Sequence, residues 1–175
     1  MEDIVLKAQK GDKNAFEELY KYFYKKIYRY CGFNLKRHDV AQDLCQETFL
    51  RAWRFLPSFC PQNGGTFQAF LFKIARNLII DFVRRKKDVS IEEAENIASK
   101  EDLEEEFDKK VNAEKLKKAL LQLEDLDRQI ILLRYFEEMA SCEVAKIIGI
   151  RDGALRVRTH RVLKKLKDIL EGYGK

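Results

Sequence analysis

The stretch SCEVAKIIGIRDGALRVRTHRVLKKL, Ser141 to Leu166, carries the pattern on which the reading of the whole chain turns. Its first eight residues place Val144, Ala145, Ile147 and Ile148 at helical spacing, and Gly149 follows, a residue suited to the left-handed conformation that ends a helix. After Gly149-Ile150 a longer basic helix begins, in which Leu155, Thr159, Val162, Leu166 and then Ile169 turn inward. A short apolar helix, a tight turn and a longer basic helix at this spacing predict a helix-turn-helix. With that seam inward, Arg156, Val157, His160 and Arg161 point outward and Arg158 lies at the margin. An arginine offers two donors to a guanine edge or one to a phosphate, so the face suits the major groove of DNA. A solvated amphipathic helix has the same pattern, and this stretch alone leaves both readings open.

Immediately upstream, Leu116, Ala119, Leu120 and Leu123 begin a helical period, and Asp125 or Asp127 is placed to cap a following helix carrying Ile130, Ile131, Leu133 and Arg134. Residues 113–175 therefore read as a four-helix domain. Residues 88–112 differ: ten acidic against three basic residues, few aromatics and weak apolar periodicity, which reads as an acidic flexible linker. Residues 1–87 carry three strongly periodic helices. The first, capped by Asp12, aligns Ala15, Phe16, Leu19, Phe23, Ile27 and Tyr30. The second runs from near Asp39 towards Pro57 on a stripe that includes Val40, Ala41, Cys45, Phe49 and Leu56. The third, capped by Thr66, carries Phe67, Phe70, Leu71, Ile74, Ala75, Leu78, Phe82 and Val83 inward. The fold class expected is all-α: two small helical domains joined by an acidic linker.

Composition agrees with this. The chain of 175 residues is 46% hydrophobic and 36% charged, and holds only eight Gly and two Pro. No apolar run approaches the ~20 residues that span a bilayer, and Met1-Glu2-Asp3-Ile4 lacks the layout of a secretion signal, so a cytoplasmic protein without membrane insertion is expected. Cys31, Cys45, Cys60 and Cys142 lie far apart without a Cys-x-x-Cys pair, which predicts buried free thiols and no metal site. The net charge of +5 is split into basic blocks on either side of the acidic one, an arrangement that suits a polyanion. There is no Gly-rich phosphate loop, nucleophile motif or metal cluster, so no enzyme and no cofactor is expected.

Two further helix faces stand out. On the third helix Lys73, Arg76, Asn77, Ile80 and Arg84 face away from the apolar stripe, Arg85-Lys86-Lys87 extend the charge, and the loop from Phe55 to Thr66 brings aromatics nearby. Cations beside rings can grip single-stranded DNA by stacking bases, although core packing is the better account of Phe67, Phe70 and Phe82. The second helix presents Asp43, Gln46, Glu47, Leu50, Arg51 and Arg54; mixed charge around an exposed leucine suits a protein partner.

At these residues the chain resembles the extracytoplasmic function sigma factors of bacterial RNA polymerase. Asp43-Leu44-Cys45-Gln46-Glu47-Thr48-Phe49 is similar to the family's core-polymerase-binding motif, and Ile74-Ala75-Arg76-Asn77-Leu78-Ile79-Ile80-Asp81 to its promoter-melting helix. Gly153-Ala154-Leu155-Arg156-Val157-Arg158 looks like its recognition helix. The resemblance implies region 2 over 1–87 and region 4 over 113–175, with the linker threading through the polymerase. It implies that Asp43, Gln46, Glu47 and Arg51 dock on the polymerase clamp and that Arg76, Asn77 and the preceding loop read and open the minus-ten element. Arg156, Arg158, His160 and Arg161 would read the minus-thirty-five element, and Arg134 would contact its phosphates. Core RNA polymerase, promoter DNA both duplex and single-stranded, and an anti-sigma protein are the partners implied. The sequence departs from the family at Phe70, where Trp is common, at Ala140, where a capping Ser is usual, and at Arg151, which replaces a Ser and could add a phosphate contact. Ser141 and Asp152, each one residue later, are then the candidate caps. Without the resemblance, a stand-alone helix-turn-helix regulator of duplex DNA would be the rival reading.

Overall fold

A computed structural model of the chain describes residues 1–35, 37–60, 65–89 and 111–172, with the side chains of 86–89 and 111–113 left aside. Among the described residues every regular element is a helix and there is no strand, as an all-α reading requires. The chain divides into two compact units, Met1–Ala98 and Ser99–Lys175. The expected linker at 88–112 lies outside the described residues except at its ends, where one helix runs to Val89 and the next starts at Val111.

The first unit contains α1 (Glu2–Gln9), α2 (Lys13–Leu35), α3 (His38–Phe55) and α4 (Phe67–Val89). Asp12 caps α2 as its position suggested: its Oδ1 accepts from the backbone N–H groups of Asn14 at 2.9 Å and Ala15 at 3.1 Å. Thr66 does the same for α4, its Oγ1 accepting from Ala69 N–H at 3.1 Å. Helix α1 was not anticipated, because one turn's worth of burial, Val5 and Ala8, makes no readable period. It packs on α2 and on the 3₁₀ turn Leu56–Ser58. From its end Gln9 Nε2 donates to the carbonyls of Leu56 at 3.2 Å and Phe59 at 2.5 Å, fastening the strand of chain that leads into the loop before α4.

Leu19, Phe23, Ile27 and Tyr30 of α2 meet Ala41, Cys45, Phe49 and Ala52 of α3 and Leu71, Phe72 and Ala75 of α4 in one core. The buried arc of α4 is wider than the expected stripe. Phe72 and Ile79 are buried, whereas Phe70 and Phe82 are only half-buried, because α4 packs against both α2 and α3 and cannot turn one narrow face to two neighbours. The Tyr30 and Phe72 rings meet edge to face at 5.2 Å. The expectation of four buried thiols is corrected at two of them: Cys31 and Cys45 are buried, but Cys60 and Cys142 are exposed. Burial pushes the Cys45 thiol up to about 12 and raises Cys31 as well, so both core sulfurs stay protonated and inert at neutral pH.

In the second unit α5 (Val111–Gln122), α6 (Asp125–Ile131) and α7 (Ser141–Ile148) all pack on α8 (Asp152–Gly172). Leu120, Leu123, Ile130, Leu133, Val144, Ile147, Leu155 and Val162 form its core. Neither Asp125 nor Asp127 caps α6. Glu124 holds the cap position without a side-chain bond, and the two aspartates lie in the first turn, where the helix dipole favours them and where each meets an arginine. Nor does α6 continue regularly through Arg134. Leu132–Phe136 form a π-helical turn, and Glu137 N–H and Met139 N–H bond the carbonyls of Leu132 at 3.0 Å and Leu133 at 3.1 Å. This wide turn delivers the chain to the start of α7. No helix among the described residues is long and apolar enough to cross a membrane.

Candidate nucleic-acid interface

The sharp turn between α7 and α8 depends on one backbone conformation. Gly149 closes α7 at φ +84°, a left-handed setting that strains any residue with a Cβ, and the N–H groups of Gly149 and Ile150 both bond the Ala145 carbonyl, at 2.8 and 3.1 Å. The expected caps are corrected. Ala140 holds the cap position of α7 and has no side-chain acceptor, so half of the capping box survives: Glu143 Oε2 accepts from Ala140 N–H at 3.1 Å. Ser141 and Asp152 bond to each other instead, Ser141 Oγ donating to Asp152 Oδ1 at 2.5 Å. That bond joins the first turns of the two helices, a role that a cap within either helix could not fill.

Asp152 also accepts from Arg156 Nη2 at 2.6 Å, one turn along α8. The Ser141 hydroxyl first, then Arg156 and the field of Arg134, hold its carboxyl below the ordinary aspartate value. A folded-state value below the unfolded one means that the stabilisation is present above the ordinary aspartate range and is lost as pH falls through the lowered value. Thermal melting of the second unit is therefore expected to fall in acid more steeply for the natural chain than for Asp152→Asn; parallel profiles would show that the Ser141–Asp152–Arg156 cluster contributes nothing to folding.

The cations of α8 fall into two groups. His160 and Arg161 are exposed, as is Arg151 just before the helix, and Arg156 is exposed while resting on Asp152. Arg158 is engaged elsewhere: its Nε donates to Asp127 Oδ1 at 2.6 Å, and its Nη2 lies 3.8 Å from Glu124, so it ties α8 to the start of α6. Arg134 is half-buried, donates to the Met139 carbonyl and lies 6.0 Å from the centre of the Tyr135 ring, which fixes the approach to α7. Arg158 is thus held at the flank of α8 by Asp127, 31 residues away in sequence, and Arg134 by the Met139 carbonyl, five residues on. Arg128, buried in α6, was not singled out by any pattern either, since an arginine within a helical period reads as solvent-facing.

In the first unit, Lys73, Asn77, Ile80 and Arg84 are exposed on one side of α4, with Arg76 half-buried among them. Arg84 lies 3.4 Å from Asp81. At the start of the helix Phe59 and Phe70 pack at 4.8 Å with planes inclined by 35°, a half-exposed aromatic pair next to this basic strip. Residues 61–64 of the intervening loop lie outside the described residues. On α3, Asp43 and Gln46 are exposed, Leu50 is 66% exposed, and Arg51 Nε donates to Glu47 Oε1 at 2.7 Å. Leu50 and Gln46 border an apolar groove shared with α2, floored by Phe16, Tyr20, Phe49 and Trp53. Among the described residues no group of three or more His, Cys, Asp or Glu is placed to hold a metal ion.

Two family models match the chain: sigma-70 region 2 over residues 16–89 and sigma-70 region 4 over residues 113–166. The chain is 29% identical to the ECF RNA polymerase sigma factor SigW of Bacillus subtilis over 94% of its own length and 96% of that protein's. It is 28% identical to the RNA polymerase sigma factor YlaC of the same organism over 89% of its length and 91% of that protein's. Among solved structures, the sigma factor RpoE in complex with the anti-sigma factor NepR from Bartonella quintana shares the fold at a TM-score of 0.70 and 24% identity, over 89% of this chain and 96% of that one.

Proposed function

This chain belongs to the extracytoplasmic function sigma factors of bacterial RNA polymerase, and on that premise we propose how its surfaces divide the work of promoter-specific transcription initiation. Residues 1–87 act as region 2. Asp43, Gln46, Glu47, Leu50 and Arg51 dock on core RNA polymerase, the exposed leucine supplying apolar contact inside a charged rim. Lys73, Arg76, Asn77, Ile80 and Arg84 follow the minus-ten element. Strand opening proceeds by capture of unpaired bases on the Phe59–Phe70 platform beside these cations, with no nucleotide hydrolysis and no catalytic chemistry.

Residues 113–175 act as region 4 and read the minus-thirty-five element as duplex through Arg151, Arg156, His160 and Arg161. Arg158 and Arg134 serve the same element from behind, by holding α8 to α6 and fixing the approach to α7. Residues 88–112, as an acidic segment, thread through the polymerase where nucleic acid later passes. Because RpoE is known bound to an anti-sigma factor, an anti-sigma protein is the expected keeper of this chain too, and the working compartment is the cytoplasm.

The observation that supports this most is the conjunction of a leucine-centred polar face, a basic strip beside aromatics and a helix-turn-helix on two units in this order. Reconstitution with core RNA polymerase on a genomic promoter library tests it. Co-elution with core and start sites that share two spaced elements are expected. Duplex binding without core binding or transcription would instead make the chain a stand-alone helix-turn-helix regulator.

A further inference from the structure

Two side chains of α8 stand most squarely opposite its core, Lys164 and the apolar Val157. At about 100° per residue, Val157 stands directly opposite Leu166 and within about 20° of opposite Leu155, the two ends of the buried seam. It is 54% exposed. Arg156 and Arg158 diverge to either flank, and both rest on aspartates, Asp152 and Asp127. Ile150, Gly153, Ala154 and Val157 border a shallow groove that is rimmed by Arg161 and Lys165 and also lined by Asp127, whose charge Arg158 offsets. A single exposed valine is ordinary on a protein surface. Here it is a poor helix former at the pole of the recognition helix, one turn beyond a glycine that the fold does not require. A Cβ built on Gly153 would meet nothing within 4 Å, and its backbone is not left-handed. Both residues disfavour the helix they occupy, and both leave the same face low and apolar between cations.

Such a lane matches one feature of the major groove, the C5-methyl of thymine, which is apolar and sits between base-edge acceptors and flanking phosphates. We propose that Val157 reads a thymine methyl in the upstream promoter element, that Gly153 provides the clearance for its approach, and that Arg161 and Lys165 hold the adjoining strand. This inference rests on the reading of α8 as the duplex-recognition helix. The surrounding cations favour a polyanion over an apolar protein surface, which would need a wider apolar patch than Ile150, Ala154 and Val157 provide.

The full chain is used to select duplexes from a randomised pool, and each thymine of the winner is replaced in turn by deoxyuridine, which lacks only the methyl. One position is expected to lose roughly 4-fold in affinity, the equivalent of one buried methyl at about 0.8 kcal/mol. Val157→Ala should abolish the difference between thymine and deoxyuridine there, with thermal melting no lower than that of the natural chain, because the side chain is exposed and alanine is the better helix former. In the natural chain, a 5-methylcytosine should bind better than cytosine at the same position. Selection of duplexes with no deoxyuridine-sensitive thymine, or equal sensitivity in Val157→Ala, would overturn the inference and leave duplex recognition standing. A chain that selects no duplex, alone or with core polymerase, would remove the duplex reading itself and this inference with it.

Discussion

Arg128→Ala is expected to destabilise the second unit strongly while leaving the first intact. The Arg128 side chain is 2% exposed, yet it carries a full charge, and its Nη1 and Nη2 donate to the Leu123 carbonyl at 3.1 Å and to Asp125 Oδ1 at 2.5 Å. These bonds brace the turn between α5 and α6, on which the packing of both helices against α8 depends. Truncation leaves the Leu123 carbonyl buried without this donor and opens a cavity as large as the lost side chain. Together these cost about 3 kcal/mol, a cavity term plus a lost charge-assisted hydrogen bond. A unit of this size has a stability of only ~5 kcal/mol, so its melting should fall by roughly 15 °C. Asp125 is 74% exposed and is resolvated, which keeps the loss below that of a fully buried pair. Arg128→Met should recover part of the loss, since it refills volume without restoring the bonds. Hydrogen exchange resolved along the chain reads the result; unchanged protection over 113–166 in Arg128→Ala would show that the buried cation is dispensable.

Leu50→Asp is expected to abolish useful binding to core RNA polymerase with the chain still folded. Leu50 is two-thirds exposed, so a carboxylate there costs little in the free protein. In the proposed complex it would be desolvated at the centre of a contact that already carries Asp43 and Glu47 on the same helix. The loss should reach ~2 to 3 kcal/mol, or roughly 30- to 150-fold in affinity, the scale of an interface hot spot. Co-elution with core enzyme and competition against the natural chain measure it, and unchanged hydrogen-exchange protection of α2, α3 and α4 serves as the control for folding of the first unit. Retained affinity would move the docking surface off this face of α3.

What was legible in the sequence was what a single helix carries within itself. The 3.6-residue period placed α2, α3, α4, α7 and α8, because each buries enough of one face for the pattern to repeat. Asp12, Thr66 and Gly149 were found from local chemistry alone, since a cap or a left-handed turn is completed within four residues. The helix-turn-helix and the outward Val157 and Arg161 follow from the same arithmetic. Helix α1 escaped because two buried residues do not make a period. The buried Phe72 escaped because α4 faces two neighbours, and the arc of a helix that is covered depends on how many others touch it.

Only the tertiary structure assigned the polar side chains, because a charge has no periodicity that tells which opposite charge it will meet. Ser141 and Asp152 looked like caps and turned out to be partners across two helices; Arg158 looked like a base reader and is bound to Asp127. Arg128, which no pattern marks, is among the most buried side chains of the described residues. The apolar pattern alone determined which faces close on one another. Which cations are left facing outward was decided by carboxylates that the fold brings up from other helices.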